Sequence, residues 1–234
     1  MGLKQELEKF NQLNSNLNLD AKFEELAKEF LYGGYFNVNN KYHIYIRTVE
    51  FYFHAEDDSV FKDDNYKDPI VYHRNNKYVK GEVPYFPTMA LHAHASGIDV
   101  TFENETLKYR ASALIRAYEV CKVSKDDYNI EKQFLVYCTT DKKFIPWKEG
   151  MKNKYNTQST YLYNFLNGFD NDSINWIDNE PIETSNITKK ERQNVYISHS
   201  EDKLNVYKIN KGEKKEKDER PWSFTREDDI ELKQ

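Results

Sequence analysis

Four groups of side chains in this 234-residue chain have the types and spacing to do chemistry. Glu50 and Tyr52 lie two positions apart inside the aromatic and β-branched run Tyr42 to His54 (YHIYIRTVEFYFH). A carboxylate taken out of water is costly unless it is paired or takes up a proton, so an acid in such a run needs a reason. A pocket rim or a neighbouring cation such as Arg47 supplies the plain one; an acid or base in catalysis supplies the other. Arg116 interrupts the apolar segment Ala113 to Ala117 (ALIRA), and a guanidinium there calls for a carboxylate, for which Glu50 is the natural candidate. His73 and Arg74 sit together in a long polar stretch. His92 and His94 share a face if their segment is a strand, and with Asp99 and His73 they have the donor types for a divalent metal. Stacked or hydrogen-bonded histidines account for the same spacing. The sequence contains no glycine-rich phosphate loop, nucleophile elbow or zinc-protease helix motif.

The elements that must carry these groups can be read from periodicity. Leu3, Leu7, Phe10 and Leu13 fall at helical spacing, and Phe23, Leu26, Ala27 and Phe30 form a second stripe that Asp20 would cap and Gly33-Gly34 would end. Tyr35 to Val38, a turn at Asn39-Asn40 and the run from Tyr42 then make a hairpin, since asparagine tolerates positive φ. Alternation along that run puts Tyr42, Ile44, Ile46, Thr48, Glu50, Tyr52 and His54 on one side. Short strands are expected over 89–94, 98–102, 107–109 and 113–120, with 129–138 open between helix and strand. The lysine-rich 142–154 reads as a solvated loop, 159–166 as a helix, and 195–198 with 204–209 as a late hairpin. Arg220 to Phe224 (RPWSF) should dock back onto the body. The organisation is one domain over 1–234: a helix and linker over 1–19, a long functional loop over 55–87, and an exposed charged loop over 211–219.

Composition bounds the function classes. A net charge of -5 with a pI near 5.8 argues against a protein that coats nucleic acid or membrane, because such binding relies on a basic surface. Aromatics make up 15% of the residues, so rings supply core volume that the mean hydropathy of -0.91 would not suggest. The two cysteines, Cys121 and Cys138, are too few for a disulfide scaffold and suit a reducing cytoplasm. No stretch has the length for a membrane span or the apolar core of a secretion signal, so a cytoplasmic protein without membrane contact is expected.

Taken in order, Leu26 to Gly33 (LAKEFLYG), the hairpin, Arg47 to Tyr52 (RTVEFY), the His73-Arg74 loop and Ala113 to Ala117 resemble the methylpurine (alkyladenine, or 3-methyladenine) DNA glycosylase family. The helix at 161–166, Arg192 to Val195 (RQNV) and Arg220 to Phe224 are compatible with that family's later segments. The resemblance implies an α+β domain with a curved, mainly antiparallel sheet, a partly closed barrel, flanked by helices. It also implies hydrolysis of the N-glycosidic bond of a modified or alkylated purine in DNA, after base flipping, by a monomer using no metal and no cofactor. Glu50 matches the general base that activates water and Arg116 the arginine that holds it, with a backbone carbonyl near Val195 completing the water site. Tyr52 matches a tyrosine that stacks on the flipped base, and His73, beside Arg74, a histidine touching the base or its phosphate. This chain departs from the family where Ser96 replaces the tyrosine that fills the gap in the duplex, and where His92 or His94 replaces the second stacking aromatic. The rival readings are a metal-dependent hydrolase built on His92, His94 and Asp99, and a non-catalytic nucleic-acid-binding relative.

Overall fold

The computed structural model describes residues 2–11, 18–57, 60–61, 68, 84–94, 97–126, 129–138, 143–146, 159–179, 186–192, 196–197, 216–217 and 219–227. In chain order these give α1 (Leu3–Phe10), α2 (Leu19–Tyr32), β1 (Gly34–Val38), β2 (Tyr42–Ala55), β3 (Leu91–His94), β4 (Gly97–Thr101), β5 (Tyr109–Asp126), β6 (Asn129–Cys138) and β7 (Lys143–Pro146). There follow α3 (Ser159–Leu166), β8 (Ile174–Asp178), β9 (Ile187–Lys190), β10 (Tyr196–Ile197), β11 (Glu216–Lys217) and β12 (Ser223–Arg226). Among the described residues every strand pair is antiparallel, and the main sheet curls into a half-barrel with few helices, a single α+β domain as expected. Among the described residues no helix is long and apolar enough to cross a membrane.

Two long strands, β2 and β5, are the spine and pair from Tyr42↔Lys122 to Ala55↔Tyr109. Each is longer than its outer neighbours and therefore carries two of them. β5 is flanked by β4 at Ser112–Leu114 and by β6 from Val120 onward; β2 is flanked by β1 at Tyr42–Ile44 and by β12 at Thr48–Glu50. The Asn39-Asn40 turn forms as expected, with both residues at positive φ (51° and 53°) and the Lys41 N–H donating to the Val38 carbonyl at 3.0 Å.

The spine does not keep one alternation along its length. Its ladder steps from Ile46↔Tyr118 to Thr48↔Ala117 to Val49↔Ile115, passing over Arg47 on one strand and Arg116 on the other. An extra residue in a strand reverses which face the following side chains take. The core therefore receives Ile44 and Ile46 before the step but Val49, Phe51 and Phe53 after it, and likewise Tyr118 and Val120 but Ile115, Ala113 and Ala111. The uniform alternation expected from sequence is corrected here: Glu50 and Tyr52 do not share a face with Ile44 and Ile46.

The core face is covered by helices. α2 lays Phe23, Leu26, Ala27 and Phe30 on it, and α1 adds Leu3, Leu7 and Phe10. Asn18, not Asp20, caps α2 by accepting the Ala21 N–H; Asp20 instead accepts the Trp222 indole N–H at 2.7 Å and ties the helix to the C-terminal segment. Gly33 ends α2 as expected, and at Gly34 a Cβ would collide with the Ile177 carbonyl, so glycine lets β8 approach β1. Several expectations change. Residues 129–138 are strand; Lys143–Pro146, within the expected lysine loop, pairs with β6; β8 and β9 were not foreseen. Tyr196–Ile197 pairs with Glu216–Lys217, so the expected 211–219 exposed loop contains a strand. Residues 204–209, and most of the 55–87 segment, lie outside the described residues.

Phe51 is the centre of the ring packing, stacked on Phe23 (centroids 4.7 Å apart) and meeting Phe30, Phe102 and Phe224 edge-on. Phe51→Ala should lower stability by about 3–5 kcal/mol in urea melts; a loss under 1 kcal/mol would contradict this packing.

Candidate functional site

The face opposite the core is polar, and much of it is buried. Directly paired residues in a sheet point the same way, so the register places Asp99, Leu114, Glu50 and Ser223 in one row across β4, β5, β2 and β12, with Thr101, Ser112 and Tyr52 in the next row. Glu50, Ser112 and Thr101 have no exposed surface, and Asp99 and Tyr52 almost none.

Glu50 is the hub. Its Oε2 accepts the Arg116 Nε–H at 2.6 Å and the Tyr52 hydroxyl at 3.0 Å, and Arg116 Nη2 reaches the same hydroxyl at 3.4 Å. Arg116 lies two residues beyond Leu114, the ladder partner of Glu50, and so takes the same face as Glu50 and Tyr52. The ion pair is asymmetric toward solvent: the Glu50 side chain is wholly buried, whereas 21% of the Arg116 side chain is exposed. Burial pulls the Arg116 pKa down, but Tyr52 and Glu50 beside it outweigh that and leave it raised. Burial, with the Glu50 charge adding to it, pushes the Tyr52 hydroxyl well above its ordinary value. The arrangement is a buried carboxylate held by two donors, one of which opens to water.

Ser112, Asp99 and Arg192 lie beside it. Ser112 donates to Asp99 Oδ1 at 3.1 Å beside the Tyr52 row, which makes Asp99 a second buried carboxylate. Its Cα lies about 10 Å from that of Glu50, two strand spacings away. Arg192, fully buried, places its guanidinium 4.7 Å from the Tyr52 ring centre. The resemblance assigns Tyr52 to stacking on a base; here one face of its ring carries Arg192 and its hydroxyl is committed to Glu50. Nothing in the polar stretch around Arg192 marked it as a core residue. It could have been found only by noting that Trp222 and Tyr52 both have faces suited to a guanidinium.

Of the other candidates, His92 is half-buried on β3, opposite Asp99 in the ladder, and its ring lies 4.7 Å from Phe86. His94 ends the same strand, but its side chain lies outside the described residues, as do His73, Arg74, Ser96 and Val195. Among the described residues no group of three histidine, cysteine or acidic side chains is arranged to hold a metal ion.

A second buried ionic cluster lies farther along the same face. Arg110 donates to Glu56 Oε1 at 2.6 Å and to Glu103 Oε2 at 3.1 Å, stacks over Tyr85 at 4.4 Å, and Tyr85 in turn donates to Glu56. The Phe86 N–H also donates to Glu103. Neither the Arg110 nor the Glu103 side chain is exposed, the Glu56 side chain keeps 12% of its surface in solvent, and the cluster fastens 84–86 to β5. The Glu50 cluster differs because its arginine reaches the surface.

Comparison of the chain with protein-family models, with characterised proteins and with solved structures returns no match.

Two outcomes are expected. Arg116→Met strands the buried carboxylate and should cost about 3–5 kcal/mol, measured by urea unfolding, whereas Arg116→Met with Glu50→Leu should recover most of it. Because the Tyr52 pKa is raised on folding, the unfolded chain loses this proton first as pH rises. Its contribution is therefore complete below about pH 10 and is lost as pH rises above it. Above about pH 10 the unfolding free energy should fall less steeply with pH for Tyr52→Phe than for wild type; identical slopes would contradict the buried phenol.

Proposed function

We propose that the chain is a monofunctional N-glycosidic hydrolase that acts on a modified purine in DNA, flipping the base out and attacking its sugar with water. In this reading Glu50 takes a proton from the water, whose oxygen bonds to the sugar C1′. The C1′–N9 bond breaks with its electron pair going to the purine; a cationic alkylated base leaves neutral, a neutral one takes up a proton from solvent, Glu50 returns its proton to solvent, and the products are the free base and an abasic sugar. Arg116 holds Glu50 from one side while its exposed part faces the incoming substrate. Tyr52 fixes the carboxylate from the other. The observation that carries the reading is the convergence of Arg116 and Tyr52 on one oxygen of a fully buried Glu50, with the cation open to solvent. An ion pair serving only to hold strands together has no need of an exposed cation, and in the Arg110 cluster the cation is wholly buried.

The sequence resemblance supports the same assignment from a different direction, since it matches Glu50 and Arg116 by order and local motif. The reaction needs a carboxylate and a water, and neither a metal nor a cofactor. The acidic chain requires the DNA contact to be local, and with Ser96 in place of a tyrosine plug the reading favours a target base that is already poorly stacked or single-stranded. Cys121, buried and in no disulfide among the described residues, is in keeping with a cytoplasmic location, and the reading is of a monomer.

The test is release of free base from DNAs carrying alkylated, deaminated or etheno-modified purines. Wild type should release base from at least one, and Glu50→Gln should lower the rate by about 10²–10⁴-fold while keeping the DNA affinity. Full turnover by Glu50→Gln, or no release by wild type from any of them, would overturn the assignment.

A further inference from the structure

We propose that Arg192 is a positioning residue for the Glu50 site, set by an ion pair with Asp68 and acting through the ring of Tyr52. The inference builds on the reading of Glu50 as the base, and half of its test stands apart from that reading.

The geometry forms one connected chain of contacts. Arg192 is fully buried, and its Nη1 donates both to the Asp68 carboxylate and to the Phe51 carbonyl, the latter at 3.2 Å. Its guanidinium lies between two rings, 4.7 Å from the centre of Tyr52 and 5.2 Å from that of Trp222. Arg220 covers Trp222 at 4.6 Å and approaches Asp68 Oδ1 at 3.7 Å, so Asp68 is shared by two arginines that both stack on Trp222. Trp222 is itself fixed, through its indole to Asp20 and through its carbonyl to the Phe51 N–H at 2.9 Å. From this frame the Tyr52 hydroxyl donates to Glu50 Oε2.

Each contact does a definite job. A planar guanidinium holds the orientation of an aromatic face more firmly than a point charge on a flexible stem, and cation–π attraction is strongest where water is excluded. The bond to the Phe51 carbonyl anchors Arg192 to the backbone residue between Glu50 and Tyr52, so the arginine is referenced to the strand it positions. A cation over the phenol ring also favours the electron-rich phenol oxygen giving up its hydrogen, which strengthens donation to Glu50. The same positive charge works against the rise in the Tyr52 pKa. Asp68 compensates a charge that would otherwise be buried alone. Three distant parts of the chain, Asp68 in the segment after β2, Arg192 just after β9 and Trp222 just before β12, thus converge on the orientation of one hydroxyl.

The experiment uses the full chain with tyrosine labelled with ¹³C at Cζ, the Tyr52 resonance being identified by its loss in Tyr52→Phe. Two variants are compared with wild type: Asp68→Asn with Arg192→Met, which removes both charges together, and Arg192→Lys, which keeps the charge and loses the planar fork. In both the Tyr52 resonance should move in the direction produced by Glu50→Gln. Base release should fall by about 10²-fold in kcat with KM within about twofold, as expected for misplacement of a reacting group. In a Tyr52→Phe background the change at Arg192 should add less than about twofold, because the path through the ring is already broken. A Tyr52 resonance unmoved in the folded variants overturns the proposal whatever their melting temperatures, and so does a moved resonance with unaltered kcat. If the double variant fails to fold, Arg192→Lys decides by the same resonance. If wild type releases no base from any DNA, the proposed function fails, and the resonance still decides whether Arg192 sets the Tyr52–Glu50 bond.

Discussion

The matched step at Arg47 and Arg116 is the constraint on which this molecule turns. A strand with strict alternation would send Ile44, Ile46, Glu50 and Tyr52 to one face, and either the core or the polar cluster would be mixed with the other. Passing over one residue in each spine strand keeps the pairing antiparallel on both sides while exchanging faces midway. The apolar side chains then form one continuous core against α1 and α2, and the acid, the phenol and the arginine gather on the opposite side. A step of this kind also bends and twists the strands it interrupts. That fits a sheet that curls into a half-barrel around strands of 14 and 18 residues.

Most elements were legible because their local signals agree with the tertiary outcome. The aromatic run, the Asn39-Asn40 turn, the stripe of α2 and the redocking RPWSF segment each read the same way locally and in the fold. The failures have physical causes. A step in a ladder depends on two strands at once, and neither RTVE nor LIRA carries a local mark of it. Lys143 to Pro146 and Ile174 to Asp178 are strands because β6 and β1 offer them edges, and the lysines, asparagines and aspartates that flank these short runs in sequence argue against it. Asn18 took the cap from Asp20 because Asp20 found a partner in Trp222, 202 positions away.

The candidate site divides along the same line. Glu50 and Arg116 could be found from sequence because each is a charge out of place in an apolar run, and such a charge demands a partner. Tyr52 was found by its spacing from Glu50, but its surroundings were not. Arg192 and Asp68 lie in segments rich in charged and amide residues, where an arginine or aspartate is the ordinary surface choice, so nothing local separated these two from their solvated neighbours.

The proposed reading gives the Glu50 face a role beyond stability, and the energetics of buried ion pairs agree with it. Replacing a buried ion pair by well-packed apolar residues is often neutral or stabilising, since desolvation can exceed the Coulomb gain. A strand pair wanting only to be held together is served as well by leucine, and Leu114 occupies the same row. The Arg110 cluster can be explained as fastening, because its arginine is wholly buried and it ties Pro84 to Phe86 to β5. Around Glu50 the logic differs: the carboxylate is sealed, its hydroxyl partner is braced from behind by Arg192, and its arginine partner keeps a fifth of its side chain in solvent. Bracing one partner and exposing the other adds little to the fold. In the proposed reading it leaves a preorganised base with a charged entrance, a site whose cost is met by what binds there.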